Sequence, residues 1–194
     1  PLIAALCLAP LVSLGLALSG LDAAVNRFAR EAMPSWASIA WSAPAVILAM
    51  GVPLLVPILA SLWRPARPLV PHFWAAFAAS LLLVTLMKAL TGRASPEALL
   101  PADLYARSLT LDLLSGEHLE GWPSGYAATN GAVALTLARL TNLPWRWRLC
   151  LGWTLWVWLA VAFGIMGEVH WFSDMLAGAA LAVAISLSLT SRSR

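Results

Sequence analysis

The chain has 194 residues, 61% of them hydrophobic and only 11% charged, with a formal net charge of +3. A soluble domain carries about 25% charged residues, so this composition places the chain in a membrane, and its length suits one bundle with no second soluble domain. The two cysteines, Cys7 and Cys150, each lie in an apolar run; they exclude a disulfide framework and read as small buried packing residues.

A helix that crosses a bilayer needs about 20 apolar residues, and six segments qualify in chain order. With Pro1 rather than Met at its head, the chain is expected to be processed or trimmed. Residues 2–20 lack a basic start and a small-residue cleavage site, and read as a transmembrane helix rather than a signal peptide. An outer loop, 21–37, precedes the second segment, 38–62, where Pro44, Pro53 and Pro57 predict a kink. Segment 69–90 leads to the longest loop, 91–124, part of which could form an interfacial helix. Segments 125–140, 149–167 and 171–190 complete an all-α bundle of six spans. Trp36, Trp63, Trp122, Trp145, Trp147 and Trp171 fall near span ends, as an aromatic belt does.

Charge sets the orientation. Arg64, Arg67, Arg139, Arg146, Arg148, Arg192 and Arg194 share one side with no acid. The other side holds Arg27, Arg30, Lys88, Arg93 and Arg107 with every Asp and Glu of the chain. Loops rich in Lys and Arg stay inside. Both termini are therefore expected in the cytoplasm of a bacterial-type inner membrane, with 21–37, 91–124 and 168–170 facing the periplasm.

Three stretches converge on that outer side. "KALTGRASP", residues 88–96, brings Lys88 and Arg93 to the end of the third span, either as anion ligands or as side chains snorkelling to headgroups. "PSGY", residues 123–126, offers backbone N–H groups and the Ser124 hydroxyl at a helix start, a place that attracts anions. "GEVHWFSD", residues 167–174, sets His170 and Asp174 four apart, where one helix face would let them touch. A carboxylate on one imidazole nitrogen frees the other for attack; the plainer reading is a pair that caps the last helix.

Together these stretches resemble the type 2 phosphatidic acid phosphatase superfamily, whose pattern is Lys-x6-Arg-Pro, then Pro-Ser-Gly-His, then Ser-Arg-x5-His-x3-Asp. The resemblance spans nearly the whole chain and is close in "HWFSDMLAG". It implies a single transmembrane domain, 1–194, with His170 as the phosphoryl-accepting nucleophile and Asp174 as its orienter. Lys88, Ser124 and Gly125 keep phosphate-binding positions. Three positions depart: Ser95 replaces an arginine before Pro96, Tyr126 replaces the histidine that protonates the leaving group, and Phe163-Gly164 replaces Ser-Arg. Arg93 lies two residues before Ser95 and is a candidate substitute. "RASP" with the later "HWF-x-D" is also similar to the lipid A phosphotransferase branch, which takes phosphate from undecaprenyl pyrophosphate.

The losses matter because phosphoryl transfer depends on positioning and on cations that offset developing oxygen charge. Glu168 also stands two residues before His170. A phenol is a weaker acid than an imidazolium, although a pyrophosphate leaving group needs less protonation than an alkoxide. Two readings stay open. One is an atypical enzyme acting on a lipid phosphate or isoprenoid pyrophosphate, with Tyr126 or water serving the leaving group. The other is a non-catalytic relative that binds lipid or a membrane-protein partner, or forms an oligomer. The family chemistry needs no metal or other cofactor. Scattered basic residues at the inner surface do not suggest a nucleic-acid role, and the spans lack the mid-depth charge of a transporter.

Overall fold

A computed structural model describes residues 1–32, 49, 51–90, 93, 121–142, 144–160 and 170–191. The fold is all-helical. Its elements are α1 (Leu2–Leu18), α2 (Leu21–Glu31), α3 (Gly51–Leu62), a 3-10 turn (Arg64–Leu69), α4 (Val70–Leu90), α5 (Gly125–Leu140), α6 (Arg146–Ala160) and α7 (Phe172–Thr190).

Among the described residues, helices fall within all six segments that hydropathy singles out, but α5 lacks the length of a span. Among the described residues, Arg64–Leu90 and Phe172–Thr190 are long and apolar enough to cross a membrane. The α1–α2 pair, bent by 73°, makes a third if it counts as one span. The physical reason is plain for α5. Its 16 residues rise only about 24 Å, short of the roughly 30 Å hydrocarbon core, and it carries Thr129, Asn130 and Thr136. Residues 33–48, with Pro44, and 161–169 lie outside the described residues.

α5 sits at the centre, packed against α4, α6 and α7, while α1 lies along α7. Close approach of α5 and α7 depends on missing side chains. A Cβ on Gly131 would meet the Ala182 Cβ at 2.7 Å, and one on Gly178 would meet the Ser124 carbonyl oxygen at 2.5 Å. α1 turns a stripe of small residues inward, namely Ala9, Ser13 and Ala17. Leu11, Leu59, Leu82 and Leu151 face outward. Small residues inside and leucines outside are the pattern of helices packed in lipid, and the chain is a membrane-associated protein.

Three expectations are corrected here. Residues 21–31 form α2 and not a loop. The chain turns at Gly20, whose φ of +75° lies in the left-handed region that glycine enters without a steric cost, and whose N–H donates to the Ala17 carbonyl at 3.1 Å. The tryptophans divide: Trp63, Trp145 and Trp147 are exposed as a belt requires, whereas Trp122 and Trp171 are buried. Trp36 lies outside the described residues. Cys150 is buried as expected, but Cys7 faces outward from α1.

The helix directions bring the ends of α1 and α4 and the starts of α2, α5 and α7 to one end of the bundle. At the opposite end Arg139 Nε donates to Thr190 Oγ1 at 2.7 Å, tying α5 to α7.

Candidate functional site

The site is built around the five residues that lead into α7. His170 and Trp171 precede the helix, and Asp174 stands in its first turn. Asp174 Oδ2 accepts the Trp171 N–H at 2.8 Å, satisfying one of the donors that a helix start leaves open. A carboxylate there is also favoured by the helix dipole. The capping role read as the plainer alternative is therefore real.

His170 does not share a helix face with Asp174. Its Nδ1 lies 3.6 Å from Asp174 Oδ2, too far for a hydrogen bond, and 2.8 Å from the Gly121 carbonyl oxygen. A carbonyl only accepts, so Nδ1 carries the hydrogen and the neutral ring presents its lone pair at Nε2. The tautomer that sequence reasoning assigns to Asp174 is thus fixed by a backbone oxygen, with the carboxylate one step away. No sequence signal marks a backbone carbonyl, which is why Gly121 is not legible beforehand. The ring of Tyr126 stands edge-to-face with that of His170, centroids 5.9 Å apart. His170 is 2% exposed.

Arg93 has other partners than the expected phosphoryl group. It is fully buried; Nη1 donates to Ser173 Oγ at 2.5 Å and to Asp174 Oδ1 at 2.7 Å, and Nη2 donates to Asp22 Oδ2 at 2.7 Å. Its guanidinium carbon lies 5.3 Å from the Trp171 ring centroid. Asp22 completes the cluster, because its Oδ1 accepts the Ser173 N–H at 2.9 Å and its Oδ2 accepts from Ser173 Oγ at 2.6 Å. One guanidinium is therefore clasped by two buried carboxylates. Such an arrangement is tolerable in low dielectric only because nearly every polar atom has a partner. The Arg93 carbonyl also accepts the Gly121 N–H at 2.9 Å, so the cluster and the His170 acceptor are joined through one backbone contact.

The start of α5 forms the facing wall. Ser124 is its N-cap, accepting the Ala127 N–H through the side chain at 3.4 Å, and its own N–H donates to the Asp174 carbonyl at 3.0 Å. Ser124 is fully buried, with Gly125 and Tyr126 half-buried. The N–H groups of Gly125 and Tyr126 open the helix, where no intrahelical acceptor exists. A Cβ on Gly125 would lie 3.5 Å from Val84, so Val84 of α4 faces this turn. Lys88 follows Val84 by four residues on the same face, half-buried in the last turn of α4.

The structure thus gathers His170, Asp174, Tyr126, Ser124, Gly125 and Arg93 around one helix-end cluster, with Lys88 on the α4 face that leads to it. Ser95, Pro96, Phe163, Gly164 and Glu168 lie outside the described residues. Among the described residues no three His, Cys, Asp or Glu side chains are grouped to hold a metal.

The model of the PAP2 superfamily matches residues 68–193, well over half of the chain. The chain belongs to that superfamily, whose members are typically phosphatases acting on phosphate esters, and a general phosphoester-hydrolase kind follows for it. No curated protein and no solved structure gives a match.

Proposed function

We propose that the protein is a membrane lipid phosphatase or phosphotransferase that works through a phosphohistidine at His170. The observation that carries this reading is the Nδ1–H bond to the Gly121 carbonyl, which leaves Nε2 as the nucleophile. In the first step an Nε2–P bond forms while the P–O bond to the leaving group breaks. The leaving oxygen takes a proton from the Tyr126 hydroxyl or from water. In the second step the oxygen of water, or of an acceptor lipid's hydroxyl, forms the new P–O bond as the N–P bond breaks, and its proton goes to the Tyr126 phenolate or to water. The ring gains positive charge on phosphorylation. The Gly121 oxygen at 2.8 Å and the Asp174 carboxylate at 3.6 Å are placed to stabilise that charge. Lys88 and the N–H groups of Gly125 and Tyr126 bind phosphoryl oxygens, with Ser124 holding the turn in shape. Arg93 acts on the phosphate indirectly, through Asp174 and the start of α7.

The substrate is a lipid phosphate or isoprenoid pyrophosphate that reaches the cluster from the outer leaflet of a bacterial-type inner membrane. The frame is six spans with both termini cytoplasmic. A second reading, a non-catalytic lipid-binding or partner-binding subunit, is favoured by the burial of His170 and by the carboxylate partners of Arg93. Purified protein offered phosphatidic acid, undecaprenyl phosphate and undecaprenyl pyrophosphate separates the two. The enzyme releases or transfers phosphate from at least one, and His170→Ala abolishes it. Absence of any His170-dependent turnover would favour the subunit.

A further inference from the structure

We propose that α2 carries positioning residues for the nucleophile, Asp22 and Asn26, which lie outside the stretch matched by the superfamily. The inference rests on the phosphohistidine reading above. Asp22 and Asn26 are four residues apart and share one face of α2. Both are buried, at 0% and 3% exposure. Asn26 Nδ2 donates to the His170 carbonyl oxygen at 3.1 Å. Asp22 grips Ser173 at both its N–H and its hydroxyl, and shares Arg93 with Asp174. One helix therefore holds the backbone at the nucleophile's own carbonyl and three residues after it, on either side of Trp171.

The orientation of α2 supports a dedicated role. It turns Asp22 and Asn26 inward while Leu21 and Phe28 stand exposed, Phe28 by 73%. That is the reverse of a helix that packs by its apolar face: the polar pair faces the site, while the exposed face mixes Leu21 and Phe28 with Arg27 and Glu31. A buried carboxylate is costly without partners, and Asp22 has three: Ser173 N–H, Ser173 Oγ and Arg93 Nη2. Removing it leaves Arg93 with Asp174 as its one carboxylate partner in the cluster and frees the Ser173 N–H, so the turn that Asp174 caps is held less firmly. Misplacing a reacting group by about 1 Å can cost on the order of 10²-fold in rate.

The test compares wild type with Asp22→Asn and Asn26→Ala in full-length detergent-purified protein, using the lipid phosphate that wild type turns over best. Asp22→Asn keeps the shape of the side chain. Asn26→Ala leaves the Asp22–Arg93–Asp174 cluster intact and serves if Asp22→Asn fails to fold. The expected result is a fall in kcat of about tenfold or more with KM changed less than about threefold, in protein whose thermal unfolding is still cooperative. Asn26→Gln or Asn26→Ser should restore part of the rate lost in Asn26→Ala, which a purely structural defect would not require. An unchanged kcat in folded Asn26→Ala or Asp22→Asn overturns the positioning role and leaves the phosphohistidine reading standing. Absence of turnover in wild type overturns that reading, and the inference falls with it.

Discussion

At the scale of single residues, Arg93 has the most distinctive surroundings. If it served only as a phosphate ligand, Arg93→Met would lower turnover and leave the fold alone. Its two buried carboxylate partners predict otherwise. The substitution strands both charges, and breaking a buried pair in this way costs about 3–5 kcal/mol. Thermal unfolding in detergent measures it, and stability equal to wild type would contradict the assignment. Tyr126 gives a prediction of the other kind. Tyr126→Phe should slow release of an alkoxide leaving group more than release of a pyrophosphate's phosphate, because only the first depends strongly on protonation. Equal effects on the two substrates would remove Tyr126 from the acid role. Much of this cluster is legible in the sequence, since His170, Asp174, Ser124 and Tyr126 sit in recognisable spacings at helix ends. Asp22 is not: it lies 151 residues from Ser173, in a stretch without a motif. A pairing of that kind is created by the fold alone.

At the scale of elements, hydropathy starts α5 at Gly125 and ends it at 140, the bounds it has in the structure. Thr141 is its C-cap, and Ser124 after Pro123 supplies the cap that starts it. α2 escapes a reading by hydropathy because Asp22, Arg27, Arg30 and Glu31 make residues 21–37 look like a solvated loop. Asp22 and Asn26 face the site while Leu21 and Phe28 face out, so no apolar stripe marks its inner side. The glycines of the α5–α7 contact yield a graded prediction. Gly178→Ala and Gly131→Ala push a Cβ to 2.5 Å and 2.7 Å from atoms of the facing helix or its cap, and overpacking of this kind costs about 1–3 kcal/mol. Gly178→Ala should be the worse of the two, because its Cβ would meet the Ser124 oxygen, the Ala127 Cβ and the Ala128 nitrogen together, whereas that of Gly131 meets the Ala182 Cβ. Gly125→Ala meets only Val84 at 3.5 Å, an ordinary contact, and should leave the melting temperature within a few degrees of wild type. Matched melting temperatures for all three would contradict the packing described for α5 and α7.

At the scale of the whole molecule, the convergence of helix ends follows from alternating direction, and that alternation predicts which loops share a side of the membrane. Ser19 lies at the end of the bundle that holds the site, and Asn142 lies at the other end, beyond α5; both are exposed. With Cys7 and Cys150 replaced by alanine, Ser19→Cys should react with an impermeant maleimide in intact cells and Asn142→Cys only after lysis. Equal labelling of both from outside would refute the topology. The all-helical class is legible from hydropathy. The number of full spans is not, because α5 combines a short length with polar residues that only a protein interior accommodates.

Phosphoryl transfer through His170 requires a covalent intermediate, which can be trapped. Protein mixed with substrate labelled at the transferred phosphorus and quenched in alkali should carry label that acid removes and alkali does not, the behaviour of a phosphoramidate. One labelled site is expected, His170, with no label on His170→Ala and slower labelling of Asp22→Asn. Turnover that proceeds without label, or label that survives in His170→Ala, would contradict it.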